Sequence, residues 1–287
     1  MRVLVLGASG MLGQAMYSVL SAHRGLEVSG TLRSEGSRRL FPAALQASLV
    51  AGVDALDIDA LAACLAERRP DVVINCVGLV KQLQEAEDPL RALPINALLP
   101  HRLSRLCALA GARLIQISTD CVFRGDRGSY TEDDESDATD FYGRSKLLGE
   151  VDAPHAVTLR TSIIGRELAS RHGLVEWFLA QTGQVRGFTR AIFSGLTTDA
   201  LADVVAQHLL PKPELRGVWH VAAAPIAKHE LLLMLREVYE RDVEIVPDDT
   251  LRIDRSLDGG RFRAATGFVA RPWPEMLRQM RMRSLRP

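Results

Sequence analysis

The chain has 287 residues, of which 47% are hydrophobic and 24% charged, with 35 basic residues matched by 35 acidic ones. That length exceeds one compact core and predicts a large domain with a smaller appendage. The balanced charge lacks the clustered basic excess of a nucleic-acid binder, so no nucleic-acid partner is expected.

The first apolar run, Val3-Leu4-Val5-Leu6, stops at Gly7. It is too short for a signal-peptide core, and no later run approaches the ~20 apolar residues of a membrane span, so no membrane association is expected. Four cysteines, Cys64, Cys76, Cys107 and Cys121, form no Cys-x-x-Cys pair and are too few to staple a chain this long. They read as reduced thiols, which points to the cytoplasm. No metal site is expected.

In chain order, apolar runs bounded by Gly, Asp and Pro predict strands at 2–6, 27–32, 53–56 (the weakest), 72–77, 113–118 and 156–160. They alternate with amphipathic stretches, including helices at 98–109 and 142–150. This is the pattern of βαβ units around a parallel sheet. After Arg160 the alternation becomes less regular: helices are predicted at 174–180, 198–209, 228–240, 257–266 and 273–280, with one strand at 218–222. The fold class is therefore α/β, a Rossmann-type doubly wound parallel sheet with a smaller C-terminal lobe intertwined with its end. Two charge runs, the six carboxylates within 132–140 and the tail arginines Arg278, Arg281, Arg283 and Arg286, read as solvated faces.

Gly7-Ala8-Ser9-Gly10-Met11-Leu12-Gly13 follows the first strand and opens the first helix. A dinucleotide site needs glycines there for the turn, for close backbone approach to the pyrophosphate and for helix-on-strand packing, and the helix N-terminus stabilises the phosphate. An acidic residue at the end of the second strand would select the free ribose of NAD. This chain offers Thr31, Leu32, Arg33 and Ser34. A cation beside hydroxyls suits a 2′-phosphate, so NADP(H) is expected, with Arg33 as its ligand and Arg38 and Arg39 as additional candidates.

Tyr142-Gly143-Arg144-Ser145-Lys146 places a phenol and an ammonium on one helix face. The pair follows Ser118-Thr119-Asp120 at a C-terminal strand edge, where doubly wound sheets bind ligands. Lys146, joined by an oxidised nicotinamide, is expected to draw the Tyr142 pKa toward neutrality. Tyr142 would give its proton to a carbonyl oxygen while the Thr119 hydroxyl holds that oxygen in line.

With these motifs and Asn75-Cys76-Val77-Gly78 in view, the chain resembles extended short-chain dehydrogenases. Within them it is most similar to the dTDP-4-dehydrorhamnose reductase family, through residues 118–125, 142–150, 159–162 and 217–221. The resemblance implies Thr119, Tyr142 and Lys146 as a catalytic triad and Gly7, Ser9, Gly10, Met11 and Leu12 as the phosphate cradle. It places Asp57 and Ile58 beside the adenine, and Cys76, Val77 and Gly78 under the cofactor. It makes Asn96 the support of the active-site lysine. Lys81, Asp120, Cys121, Trp177, Arg190 and Arg255 fall in segments facing a nucleotide-sugar substrate, with Arg190 or Arg255 as the diphosphate contact.

The implied organisation is an NADP-binding domain at 1–164 and 194–222, and a sugar-nucleotide lobe at 165–193 and 223–287. The implied reaction is NADPH-dependent reduction of the 4-keto group of a nucleotide-activated 6-deoxyhexose in cell-surface polysaccharide biosynthesis, by a chain able to form a homodimer.

The sequence departs from the family in having Cys121 where tyrosine is common and Ile163 where tryptophan is common. Smaller side chains there would leave room for the acetamido group of a related N-acetylhexosamine. Dehydratases of the same fold carry an Asp-Glu pair after the threonine, whereas Cys121 follows Asp120, and a thiol is a poor substitute for a carboxylic acid. A sugar-nucleotide epimerase remains an alternative reading. So does a non-catalytic NADP-binding regulatory subunit, like that of methionine adenosyltransferase, although the intact triad argues against it.

Overall fold

A computed structural model describes residues 1–81, 84–169 and 171–284. Its centre is a parallel seven-stranded sheet. In chain order the strands are β1 (Arg2–Leu6), β2 (Glu27–Thr31), β3 (Leu49–Val50), β4 (Val72–Asn75), β5 (Arg113–Thr119), β6 (Ala156–Thr161), β7 (Ile163–Ile164), β8 (Gly183–Phe188), β9 (Ala191–Phe193), β10 (Leu196–Thr197), β11 (Gly217–His220), β12 (Ile226–Ala227), β13 (Val243–Asp248) and β14 (Ile253–Asp254). The central sheet runs β11-β6-β5-β4-β1-β2-β3. The order reverses at β1 and β4, and the crevice outside the strand ends at this switch point is where such sheets bind ligands.

Period-two alternation sends each strand's side chains to two different cores. Val3 and Val5 of β1 join Ile74, Ile115, Ile117 and Leu159 on one face. Leu4 and Leu6 join Val73 and Leu114 on the other. The helices are α1 (Met11–Ser21), α2 (Ala43–Gln46), α3 (Ile58–Arg68), α4 (Pro89–Ala92), α5 (Leu99–Ala110), α6 (Phe141–Leu148), α7 (Leu174–Leu179), α8 (Thr198–Val204), α9 (Lys228–Val238), α10 (Gly260–Thr266) and α11 (Trp273–Ser284). Met16, Leu20, Leu201 and Val205 cover the first face. Leu61, Leu65, Leu99 and Leu103 cover the second, which gives the two helical layers of a doubly wound fold.

Several sequence expectations change. The third strand is Leu49–Val50, not 53–56: Gly52 takes a positive φ and ends the strand, after which Val53 N still donates to the Leu32 carbonyl at 3.1 Å and its side chain packs into the second core. Beyond β6 the chain carries small sheets as well as helices: β12-β9-β14, β13-β8 and β10-β7. The acidic run is not a free face. Glu132 accepts from the backbone of His220, Asp134 pairs with Arg127, Asp137 with Arg124, and Asp140 with Lys81. Two of the tail arginines are also used: Arg281 pairs with Glu240 just beyond α9, and Arg283 with Asp199 and Asp203 of α8, while Arg278 is exposed as expected. Arg286 lies outside the described residues.

Candidate active site

A cleft of about 630 Å³ opens at the C-terminal ends of β1, β4 and β5. One wall is the glycine turn. Gly7 has φ +75°, and a Cβ there would lie 2.8 Å from Val77 Cγ2. A Cβ on Gly13 would run into the Gly7 carbonyl oxygen, so α1 packs against the turn only because that side chain is absent. The Thr31 hydroxyl accepts from Gly7 N at 3.0 Å and fixes the turn to β2.

Gly10, Met11 and Leu12 line the cleft, while Gly7 and Ser9 lie behind them in the turn. Gly10 gives α1 no side-chain cap, and its first turn carries no acidic residue. The free N–H groups at that end therefore fit a dinucleotide phosphate in both charge and room.

The second wall is the end of β4, where Cys76, Val77 and Gly78 line the cleft. Asn75 donates to Gln116 at 2.8 Å and accepts from Val77 N at 3.1 Å, which locks the chain as it leaves the sheet. Arg33 is exposed and makes no ion pair with a described residue. Arg38 is not free for a ligand, contrary to expectation: its guanidinium donates to the carbonyls of Gln46 and Leu49 and pairs with Glu35. Asp57 caps α3 by accepting from Asp59 N and Ala60 N, with Ile58 partly buried beside it.

The third wall carries the reactive groups. Thr119 ends β5; its hydroxyl accepts from Cys121 N at 3.1 Å and donates to Asp120 at 3.1 Å, and it lies near enough to the Tyr142 phenol to favour its anion. Helix α6 is capped by Asp140, which accepts from Gly143 N at 2.8 Å. A Cβ on Gly143 would collide with the carbonyl oxygen of Cys121, so glycine lets α6 lie directly against the turn after Thr119. Lys146 Nζ donates to the Ile117 carbonyl at 2.8 Å.

Asn96 makes no hydrogen bond with that lysine, although both lie beside Gly78. It accepts from Leu79 N at 3.0 Å and donates to the Ser145 hydroxyl at 3.2 Å, bracing α6 one residue earlier. Burial pushes the Tyr142 phenol above its ordinary range, and burial lowers Lys146 to about 8. The phenol is thus held protonated, not drawn toward neutrality as the sequence suggested; that expectation required the charge of an oxidised nicotinamide. A protonated phenol is the form that donates.

Asp120, Cys121, Lys81 and Arg255 also line the cleft. Arg255 is fully engaged: Nε donates to the Phe123 carbonyl at 2.8 Å, one terminal nitrogen to Cys121 Sγ at 3.8 Å, and the other lies 3.5 Å from Asp140. Burial pushes the Cys121 thiol up to about 12, which keeps it a neutral wall.

Trp177 and Arg190 do not line the cleft. Helix α7 buries Val175 and Phe178, which turns Trp177 outward, 39% exposed. Arg190 is exposed in the β8–β9 turn, although Ala191, Ile192 and Phe193 just after it line the cleft. The structure adds Ser162, Glu167, His172 and Lys228 to the lining. Ser162 ends the 159–162 segment that carries the family likeness but was given no role there; Glu167, His172 and Lys228 were not named as site residues, because each stands in an element with no motif of its own.

A doubly wound sheet with a glycine turn on one wall of its switch-point cleft and a threonine, tyrosine and lysine on another defines an extended short-chain dehydrogenase fold. The family profile of the RmlD substrate binding domain matches residues 1–284, and the chain belongs to that family. The dTDP-4-dehydrorhamnose reductase of Mycolicibacterium smegmatis is 31% identical over 79% of this chain, and the match spans 65% of that protein, just under two thirds of its length. The methionine adenosyltransferase 2 subunit beta of Danio rerio is 28% identical over 83% of this chain and 74% of its own. A Bacillus anthracis dTDP-4-dehydrorhamnose reductase in complex with NADP superposes with a TM-score of 0.80 at 21% identity, covering 99% of each chain, which shows the shared fold.

Proposed function

We propose that the chain is an NADPH-dependent reductase acting on the 4-keto group of a nucleotide-activated 6-deoxyhexose. The observation that carries this reading is the complete proton-donating set, Thr119, Tyr142 and Lys146, facing the glycine turn across one cleft. NADPH, when bound, supplies the hydride. Gly10, Met11 and Leu12 hold its pyrophosphate, Cys76, Val77 and Gly78 form the floor, and exposed Arg33 receives the 2′-phosphate.

Thr119 positions the substrate carbonyl oxygen, and Tyr142 donates its proton to that oxygen. Lys146, anchored to the Ile117 carbonyl, keeps a positive charge beside the phenol as it becomes negative. Asp120 and Cys121 form the wall beside the sugar. The cleft has no carboxyl pair after Thr119 of the kind dehydration needs, since Cys121 is a neutral thiol there.

Residues 165–193 and 223–287 are assigned to the substrate grip, supported by Ile192, Phe193, Lys228, Leu251, Ile253 and Arg255 lining the cleft from that side. Four unpaired cysteines fit a reducing compartment, the cytoplasm. The test is NADPH oxidation against a panel of dTDP- and UDP-linked 4-keto-6-deoxy sugars. Turnover of at least one supports the proposal. Tight NADPH binding with no turnover across the panel transfers the reading to a regulatory subunit of the kind named among the relatives.

A further inference from the structure

The basic side chains lining the cleft differ in what they are free to bind. Lys146 is anchored to the Ile117 carbonyl, Lys81 is paired with Asp140 at 2.7 Å, and all three guanidinium nitrogens of Arg255 are engaged. Lys228, the first residue of α9, also lines the cleft and is partly buried. It makes no hydrogen bond or ion pair with any described residue; burial disfavours its charged form, which Asp120 favours and Arg255 and Lys81 oppose.

A partly buried ammonium without an acceptor is costly, and it becomes favourable when a ligand supplies one. Burial and the two nearby cations disfavour the ammonium more than Asp120 favours it, so an anionic ligand is the partner that would stabilise it most. Lys228 directly follows β12, which pairs with β9, and Ala191, Ile192 and Phe193 of β9 line the cleft, so Lys228 stands on the wall that the later segments contribute.

We infer that Lys228 is the substrate-binding cation of this cleft, and that it contacts the phosphate nearest the hexose of a sugar nucleotide. This role rests on the sugar-nucleotide reading above and replaces the one expected for Arg190 or Arg255. Arg255 instead becomes a positioning residue that fixes Cys121, Phe123 and Asp140. Its removal should disturb folding and binding together, whereas the Lys228 side chain is bonded to no described residue and its removal should leave the fold intact.

The experiment is calorimetric titration of the NADP-saturated full chain with dTDP and with UDP, which needs no turnover. Lys228→Gln should weaken nucleoside diphosphate binding about tenfold or more, as expected for loss of a charge-assisted contact, and Lys228→Arg should recover part of it. NADPH affinity and the thermal midpoint should not change in either variant. Unchanged dTDP and UDP affinity in Lys228→Gln, with the unmodified chain binding one of them, overturns the Lys228 assignment and leaves the reductase reading standing. If the unmodified NADP-saturated chain binds neither diphosphate, the inference and the sugar-nucleotide reading fail together.

Discussion

At Tyr142, burial and hydrogen bonding act in opposite directions, and burial wins: the phenol stays protonated although the Thr119 hydroxyl favours its anion. Tyr142→Phe keeps the ring and removes the proton. Turnover should fall on the order of 10²-fold or more while NADPH still binds, checked by steady-state rates beside cofactor titration.

The neighbouring ammonium sets a pH dependence. Burial brings Lys146 to about 8, so its positive charge is present below that value and lost above it. The rate constant kcat/KM, which reports the free enzyme, should therefore be flat on the acid side and fall as pH rises past about 8. A profile still rising beyond that point would exclude a role for the charged lysine. Exposed Arg33 should decide the cofactor. Arg33→Asp should reduce the preference for NADPH over NADH by roughly ten- to a hundredfold, measured as a ratio of kcat/KM values.

These three residues are legible in the sequence because each sits at a fixed place relative to a strand end. Lys228 is not, since a lysine opening an amphipathic helix looks like any solvated one until the fold turns it into the cleft. Arg38 misled for the complementary reason: its engagement by the Gln46 and Leu49 carbonyls depends on a short helix that has no strong signal.

At the scale of elements, the seven-stranded sheet was largely readable, since Val- and Ile-rich runs bounded by Gly and Asp fit few other structures. The C-terminal strands β8, β9 and β13 were not. β8 and β13 pair chiefly with each other at the periphery, so their residues alternate in burial without forming an apolar run. The acidic segment was misread because its carboxylates find partners distant in sequence, among them the backbone of His220.

The same segment lies over a buried polar network. Arg160 pairs bidentately with Glu150 at 2.8 Å, donates to Ser136 at 3.0 Å and stacks on the Phe123 ring, while Ser118 donates to Glu150 at 2.7 Å. Both charged side chains are nearly sealed, at 7% and 8% exposure. Removing one partner leaves the other charge buried, so Glu150→Ala should cost about 3–5 kcal/mol in urea unfolding, far more than an exposed pair such as Arg2–Asp71 would lose. Because Ser118 precedes Thr119, this variant should also lower turnover in whatever fraction remains folded.

Across the whole molecule, residues from the central sheet and from the later segments line one cleft. The sheet brings the glycine turn, the β4 end and the α6 tyrosine to a single edge. The later segments close it with Ile192, Phe193, Lys228, Ile253 and Arg255. In the proposed function, cofactor and substrate would enter this cleft from the two sets of lining residues, with Tyr142 as the proton donor. The measurement that tests it most directly uses NADPH carrying deuterium at the transferable position, with the 4-keto-6-deoxy sugar nucleotides as acceptors and the product read by mass spectrometry and NMR. The account predicts one deuterium at C4 of the sugar, and on the order of 10²-fold less labelled product from Tyr142→Phe within the same time. Deuterium at another carbon, or product formed without deuterium, would contradict it.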